Sequence, residues 1–164
     1  MSNSYLPRAS KVITAETIGP RQPKDSLVLA FDDRHTRREV RVTEGGTRFL
    51  IDLERAIVLR EGDALELEDG ALIGVRAATE ALLEIRADNA DALLRTAWHI
   101  GNRHTPLEVG RDALYISFDH VLADMLRARG CTVTEVTRPF NPERGAYDTP
   151  GGHKHSHGHH HHEH

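Results

Sequence analysis

The first half of the chain alternates apolar and polar residues in short runs that are typical of β-strands. These runs, each bounded by turn residues, are SLVLAF, REVRVT, TRFLIDL and DALELEDGALIGVRA. In the last run, Asp69-Gly70 predicts a type I′ hairpin turn, which needs positive φ at both central positions. Gly45-Gly46 is a second candidate for such a turn. Residues 1–76 are therefore predicted to form an all-β domain, a small sandwich or barrel-like structure.

From Thr79 the hydrophobic pattern predicts two amphipathic helices. The first covers NADALLRTAWHIGNRH, begins at Asn89 or Asp91, and has apolar positions at Leu93, Leu94, Ala97, Trp98 and Ile100. The second covers DHVLADMLRARG, with Asp119 as N-cap and Gly130 as its stop. Its apolar positions are Val121, Leu122, Met125 and Leu126. These four positions form one apolar stripe along the helix.

Strands are predicted around these helices in EALLEIRA, PLEVG, ALYISF and CTVTEV. The resulting order β-α-β-β-α-β is that of a ferredoxin-like fold, predicted here over residues 79–147. Residues 148–164 have no apolar side chain that could offset the entropy of ordering them, so they are expected to form a disordered, histidine-rich tail. The predicted fold class is α+β.

Composition restricts the classes of function. The formal net charge is −4, which argues against a phosphate-binding surface for nucleic acid. No apolar run approaches the roughly 20 residues of a membrane helix, and the first residues lack the apolar segment of a secretory signal. The single cysteine, Cys131, excludes an internal disulfide and suits a reducing cytosol. We therefore expect a soluble, cytoplasmic protein.

Histidine carries the candidate chemistry, with 12 residues in the chain. The pattern of the tail favours a native metal-binding tract over a purification tag, because tags are usually unbroken blocks of about six or more. Neutral imidazole suits Ni(II), Zn(II) and Cu(II), so the pattern does not select the metal. Because the ligands must be deprotonated, binding is expected to weaken below about pH 6. The candidate ligands of the tail are His153, His155, His157, His159, His160, His161, His162 and His164.

The internal histidines do not have the spacing of a zinc enzyme. His99 and His104 are five residues apart, so on a continuous helix their side chains diverge by about 140°. His35, in DDRHTRRE, is predicted to be a solvated turn residue. From the pattern alone, His104 at a helix end and His120 beside a cap remain open between surface residues and ligands. A metal-dependent hydrolase using Asp119 and His120 is disfavoured, since Asp119 is better explained as the cap.

Two segments of the second half, HIGNRHTPLEV and DHVLADMLRARGCTVTEVTRPFNPERGAY, resemble the UreE family of urease accessory nickel metallochaperones. More loosely, RFLIDLERAIVLREGDALELEDGALIGVRAATE resembles the N-terminal β domain of that family. The resemblance implies a homodimer joined through the ferredoxin-like domains. It also implies a Ni(II) site on the two-fold axis, built from His104 of each chain, with His99 and His120 as secondary ligands. The tail histidines would complete the coordination as mobile ligands, and Zn(II) or Cu(II) would also bind in vitro.

The resemblance implies delivery of a metal rather than catalysis. Nickel would pass to the GTPase UreG within the urease maturation complex, and the first domain would contact partners. Two alternatives remain open from the residues. A metal buffer or store shares the tail and the site but needs no delivery partner. A protein-binding module is the other alternative, in which the histidine tract is only a tag.

Overall fold

The computed structural model describes residues 6–145. The predicted tail, with all its candidate ligands from His153 to His164, lies outside the described residues. The structure therefore does not test the expectation that the tail is disordered. Within the described range, no helix is long and apolar enough to cross a membrane.

The first sheet contains six strands: Arg8–Ile13 (β1), Asp25–Leu29 (β2), His35–Val42 (β3), Arg48–Val58 (β4), Ala64–Leu67 (β5) and Leu72–Ala77 (β6). Their order across the sheet is β2-β6-β5-β1-β4-β3. Two neighbouring pairs, β1 with β4 and β2 with β6, are parallel, and the other pairs are antiparallel. The two edges approach each other, because the amide of Glu44, just after β3, donates to the carbonyl of Ser26 in β2 at 2.9 Å. The strands therefore form one curled, barrel-like sheet instead of the two packed sheets of a sandwich.

The β5–β6 hairpin closes where the amide of Leu67 donates to the carbonyl of Ala71 at 2.9 Å. The three residues between them form the loop, and the last of these is a left-handed glycine. Gly70 has φ +81° and its amide donates to the carbonyl of Leu67 at 2.9 Å. The φ angle of Asp69 is not positive, because His104 is the only non-glycine residue with a positive φ among the described residues. The type I′ prediction for Asp69-Gly70 was therefore wrong. Gly46, with φ +87°, closes the β3–β4 hairpin in the same way, by donating to Thr43 at 3.0 Å.

The second sheet confirms the predicted β-α-β-β-α-β order. The elements of this unit are β7 (Thr79–Arg86), α1 (Ala90–Gly101), β8 (Glu108–Val109), β9 (Leu114–Ser117), α2 (His120–Ala128) and β10 (Thr132–Pro139). The strands are antiparallel in the order β10-β7-β9-β8, in which the first and last strands of the unit are neighbours. A short 3₁₀ turn over Phe31–Arg34 belongs to the first sheet's unit.

Both helices begin and end at residues whose chemistry explains the boundary. The side chain of Asn89 accepts from the amide of Ala92, and that of Asp119 from Leu122, each at 2.9 Å. Gly130, with φ +86°, follows the end of α2. The two helices share one core on one face of the sheet, formed by Leu83, Ile85, Leu114 and Ile116 with Ile100, Ala123 and Leu126.

Both predicted helices are present, but some of their apolar positions are exposed. Helix α1 buries Thr96 and Ile100, whereas Leu94 and Trp98 are 69% and 64% exposed. On α2, Val121 is 65% exposed, and Phe118, just before the cap, is 51% exposed. Exposed apolar side chains mark an interaction surface where they form a contiguous patch, whereas single ones are ordinary. We refer to Leu94, Trp98, Phe118 and Val121 together as the uncovered apolar residues.

Arg34 connects the first sheet to the end of β10. Its side chain is 1% exposed, and its guanidinium donates to the carbonyl of Phe140 and, at 3.0 Å, to Oδ1 of Asn141. The rings of Phe31 and Phe140 meet edge to face, with centroids 5.3 Å apart. Burial lowers the pKa of Arg34, which is nevertheless a group that stays protonated in proteins. These contacts hold the two units together beside the segment that leads to the tail.

Replacement of Arg34 by alanine is expected to destabilise the fold, because the acceptors on Phe140 and Asn141 lose a buried charged donor. The expected loss is about 3 kcal/mol in the free energy of unfolding, measured by urea denaturation. Arg37→Ala removes an exposed arginine from the same strand region and serves as the control, with an expected change within about 0.5 kcal/mol. Equal stability of the two variants would contradict this role for Arg34.

Candidate metal-binding face

His104 lies in a turn after helix α1. The helix ends at Gly101, and the amide of His104 donates to the Gly101 carbonyl at 2.9 Å. The side chain is exposed, and φ of His104 is +57°, in the left-handed region. A continuous helix through His104 was therefore the wrong assumption, and the 140° divergence from His99 does not apply.

The left-handed backbone of His104 is a feature that glycine normally supplies. Positions just after a helix often have this conformation, and a side chain there costs about 1–3 kcal/mol of strain. Such strain persists at functional sites when the side chain itself is needed. The imidazole of His104 is therefore carried by a backbone conformation that glycine would adopt without strain.

His99 lies on α1, half-buried, with two arginines beside it. Its Nε2 is 2.5 Å from Nη2 of Arg129, and its carbonyl accepts from Nη1 of Arg103 at 2.8 Å. The ring of Trp98 stands edge to face with the imidazole, at a centroid distance of 5.0 Å. Burial, followed by repulsion from Arg129 and Arg103, lowers the pKa of His99. The ring is therefore neutral at neutral pH.

His120 is the exposed first residue of α2. The preceding Asp119 caps the helix, because its Oδ1 accepts from the amide of Leu122 at 2.9 Å. This confirms the sequence-based explanation of Asp119. The carboxylate is engaged by the backbone, so the geometry gives no support to an acid–base pair of Asp119 with His120.

His35 was predicted as a turn residue, but it begins strand β3. It is exposed and lines a cavity of about 230 Å³ between the first sheet and residues 142–144. The wall includes Phe31, Arg55 and Asp63, and none of the histidines of the second unit. His35 is therefore separate from the histidines that the resemblance implicates.

Within residues 6–145, no three side chains of His, Cys, Asp or Glu come close enough together to hold a metal ion. His99, His104 and His120 thus do not form a common site within the described part of one chain. The ligand roles assigned to them, and those of the tail, remain predictions. A complete site at His104 requires ligands from the tail or from a second copy. Arg129 was missed from the sequence, since only the fold brings it to His99 across 30 positions.

Family comparisons match both units of the chain. The N-terminal domain model of the UreE urease accessory protein matches residues 9–78, and the C-terminal domain model matches residues 80–164. The two matches meet between β6 and β7, where the first sheet gives way to the second.

Relatives described as urease accessory protein UreE cover most of the chain. The Azorhizobium caulinodans protein is 49% identical over 89% of this chain and 70% of its own length. The Rhodopseudomonas palustris (strain HaA2) protein is 54% identical over 75% of this chain. The Brucella anthropi protein is 44% identical over 89% of this chain and 85% of its own length. The chain spans only 57% of the Rhodopseudomonas relative.

Two independent domain matches, in the right order and on the two observed units, agree with these identities. The chain belongs to the UreE family of urease accessory proteins.

Proposed function

We propose that this protein is a nickel metallochaperone that captures Ni(II) and delivers it for maturation of the urease active site. The observation that carries the proposal is the exposed imidazole of His104, kept in a strained left-handed turn. Urease as the destination is supported by the description shared by the relatives, urease accessory protein. Imidazole ligands suit nickel, and they also suit Zn(II) and Cu(II), which we expect to bind in vitro.

The proposed tight site is shared by two copies of the chain. One exposed imidazole is a poor site, but a two-fold axis presents the same residue twice. Leu94 and Trp98 lie one turn apart on α1, are 69% and 64% exposed, and precede His104 on the same helix and turn. We propose that a homodimer covers them and places the two His104 side chains near its axis. The uncovered apolar residues thus support assembly through the ferredoxin-like domains.

A delivery protein needs an affinity that permits release. Two His104 imidazoles on folded turns, supplemented by the histidines of residues 153–164, would meet this need, because supplementary ligands can leave one at a time. His120, exposed at the start of α2, is a candidate secondary ligand. His99 is a second candidate, but its ring already has a partner in Arg129. Tight binding of nickel would therefore depend mainly on the two His104 side chains.

The proposed recipient is the GTPase UreG within the cytoplasmic urease maturation complex. We assign the contact with partners to the first sheet, where Val40 and Val42 of the edge strand β3 are 44% and 53% exposed. A metal buffer without a delivery partner is the alternative. Mixing the nickel-loaded protein with UreG distinguishes the two: transfer of nickel with formation of a complex favours delivery. High nickel stoichiometry without a complex favours the buffer.

The proposal is tested by cutting the chain after Tyr147. Calorimetric titration with Ni(II), with size measured by light scattering, is expected to show fewer bound ions than in the full chain. One tight ion per dimer should remain, because the described cores and His104 all precede the cut. Loss of all nickel binding with the tail would contradict the site at His104. Loss of the dimer would show that the tail has a structural role instead.

A further inference from the structure

Arg129 engages the nitrogen of His99 that a metal ion would need. Nη2 of Arg129 lies 2.5 Å from Nε2 of the imidazole. A guanidinium has donors and no acceptor, so Nε2 must accept this hydrogen bond, and the neutral ring carries its proton on Nδ1. A neutral imidazole has one free nitrogen lone pair. That lone pair is already used, and a metal ion at His99 has to displace Arg129.

The surroundings of His99 oppose a cation as well. A second guanidinium, that of Arg103, bonds to the backbone carbonyl of His99 at 2.8 Å, so two positive charges lie near the ring. Repulsion between like charges disfavours a divalent ion there. The edge of the Trp98 ring adds an apolar neighbour at a centroid distance of 5.0 Å. This environment contrasts with that of His104, which is exposed.

Arg129 itself is held in place by the end of α2. Its amide donates to the carbonyls of Met125 and Leu126, both at 3.1 Å. These bonds belong to the backbone and do not depend on the side chain. The guanidinium is exposed, so it is available to His99 without being part of the core. Its replacement should therefore leave the fold intact.

We infer that Arg129 withholds His99 from nickel, so that His99 adds nothing to the affinity of the protein for the metal. The inference rests on the proposed function, in which His104 supplies the tight site. A further imidazole fixed on a helix would tighten binding and slow release. Arg129 keeps that imidazole unavailable, so it is an affinity-determining residue that does not itself touch the metal.

The test is nickel titration of the full chain against Arg129→Met, with a chromophoric chelator as competitor. Methionine keeps the length of the apolar stem and removes both the donors and the charge. Nickel is expected to bind about tenfold more tightly, the order of effect of a partner of a metal ligand, or as one additional ion per chain. Adding His99→Ala to Arg129→Met is expected to restore the binding of the parent protein.

The control is Arg127→Met, on the same helix. It removes the same charge, but the guanidinium of Arg127 pairs with Asp124 at 3.4 Å. Its nickel binding should equal that of the parent. Unchanged binding in Arg129→Met overturns the inference, and so does a gain that survives His99→Ala or that Arg127→Met also shows. His104→Ala in the same series tests the proposed function separately, because unchanged tight binding there refutes the site at His104 whatever Arg129→Met shows.

Discussion

His104→Ala is expected to weaken the tightest nickel binding of the full chain by about 100-fold or more. The effect is large because a single substitution removes both imidazoles of a two-fold site. The tail histidines remain and should still bind nickel weakly, so the titration is expected to lose its tight phase and keep its weak one. Calorimetry measures both phases, and light scattering verifies that the variant is still a dimer. Unchanged high-affinity uptake would refute the assignment of His104.

A second substitution at the same position separates metal binding from folding. His104→Gly places the residue that tolerates positive φ at a backbone φ of +57°. It is expected to raise the free energy of unfolding by about 1 kcal/mol through relief of strain, while tight nickel binding is lost. His104→Ala keeps a side chain in the strained turn and should be less stable than His104→Gly. A His104→Gly protein less stable than its parent would indicate that the imidazole supports the fold.

The second unit was predictable because its boundaries have their own chemical signals. Asn89 and Asp119 accept amide hydrogen bonds at the helix starts, and Gly130 adopts the left-handed conformation after α2. The strand order followed from the order of the elements. Which apolar residues of the helices are buried could not be predicted equally well, because an exposed apolar residue and a core residue look the same in the sequence. Leu94 and Trp98 belong to the same helical pattern as the buried Ile100, but they are exposed.

The strands of the first sheet were harder to predict from the pattern of apolar and polar residues. Strand β1 begins with Arg8, Ala9 and Ser10, and only Ala9 of the strand is fully buried. Its own sequence therefore has little alternation of apolar and polar residues. It becomes a strand through its neighbours β4 and β5. Asp69-Gly70 marked the hairpin correctly, but the dipeptide suits more than one turn geometry. The turn type depends on the strand register, which the local sequence does not contain.

The candidate site was also predictable only in part. His104 was selected through the resemblance, since spacing alone could not show that the helix ends at Gly101. The hydrogen bond from Arg129 to His99 joins two helices through the fold, and no local pattern predicts it. The ligand roles of His104, His99, His120 and the tail histidines stay predictions until nickel is titrated.

Trp98→Asp is expected to convert the dimer into a monomer and to abolish tight nickel binding, although His104 remains. A carboxylate at the centre of an apolar interface is costly to bury, and the contact area of the indole is lost as well. Light scattering should give the mass of one chain, 18.3 kDa. The nickel titration should lose its tight phase, because a single chain offers only one His104.

This result would identify assembly as the cause, since Trp98 is already 64% exposed in one chain and its replacement removes little from the core. Val42→Asp provides the matched control: Val42 is 53% exposed, but it lies on strand β3 of the first sheet. That variant should remain a dimer with the tight site intact. A Trp98→Asp protein that stays dimeric and binds nickel tightly would exclude α1 from the interface. The two-fold site would then need another surface to bring the His104 side chains together.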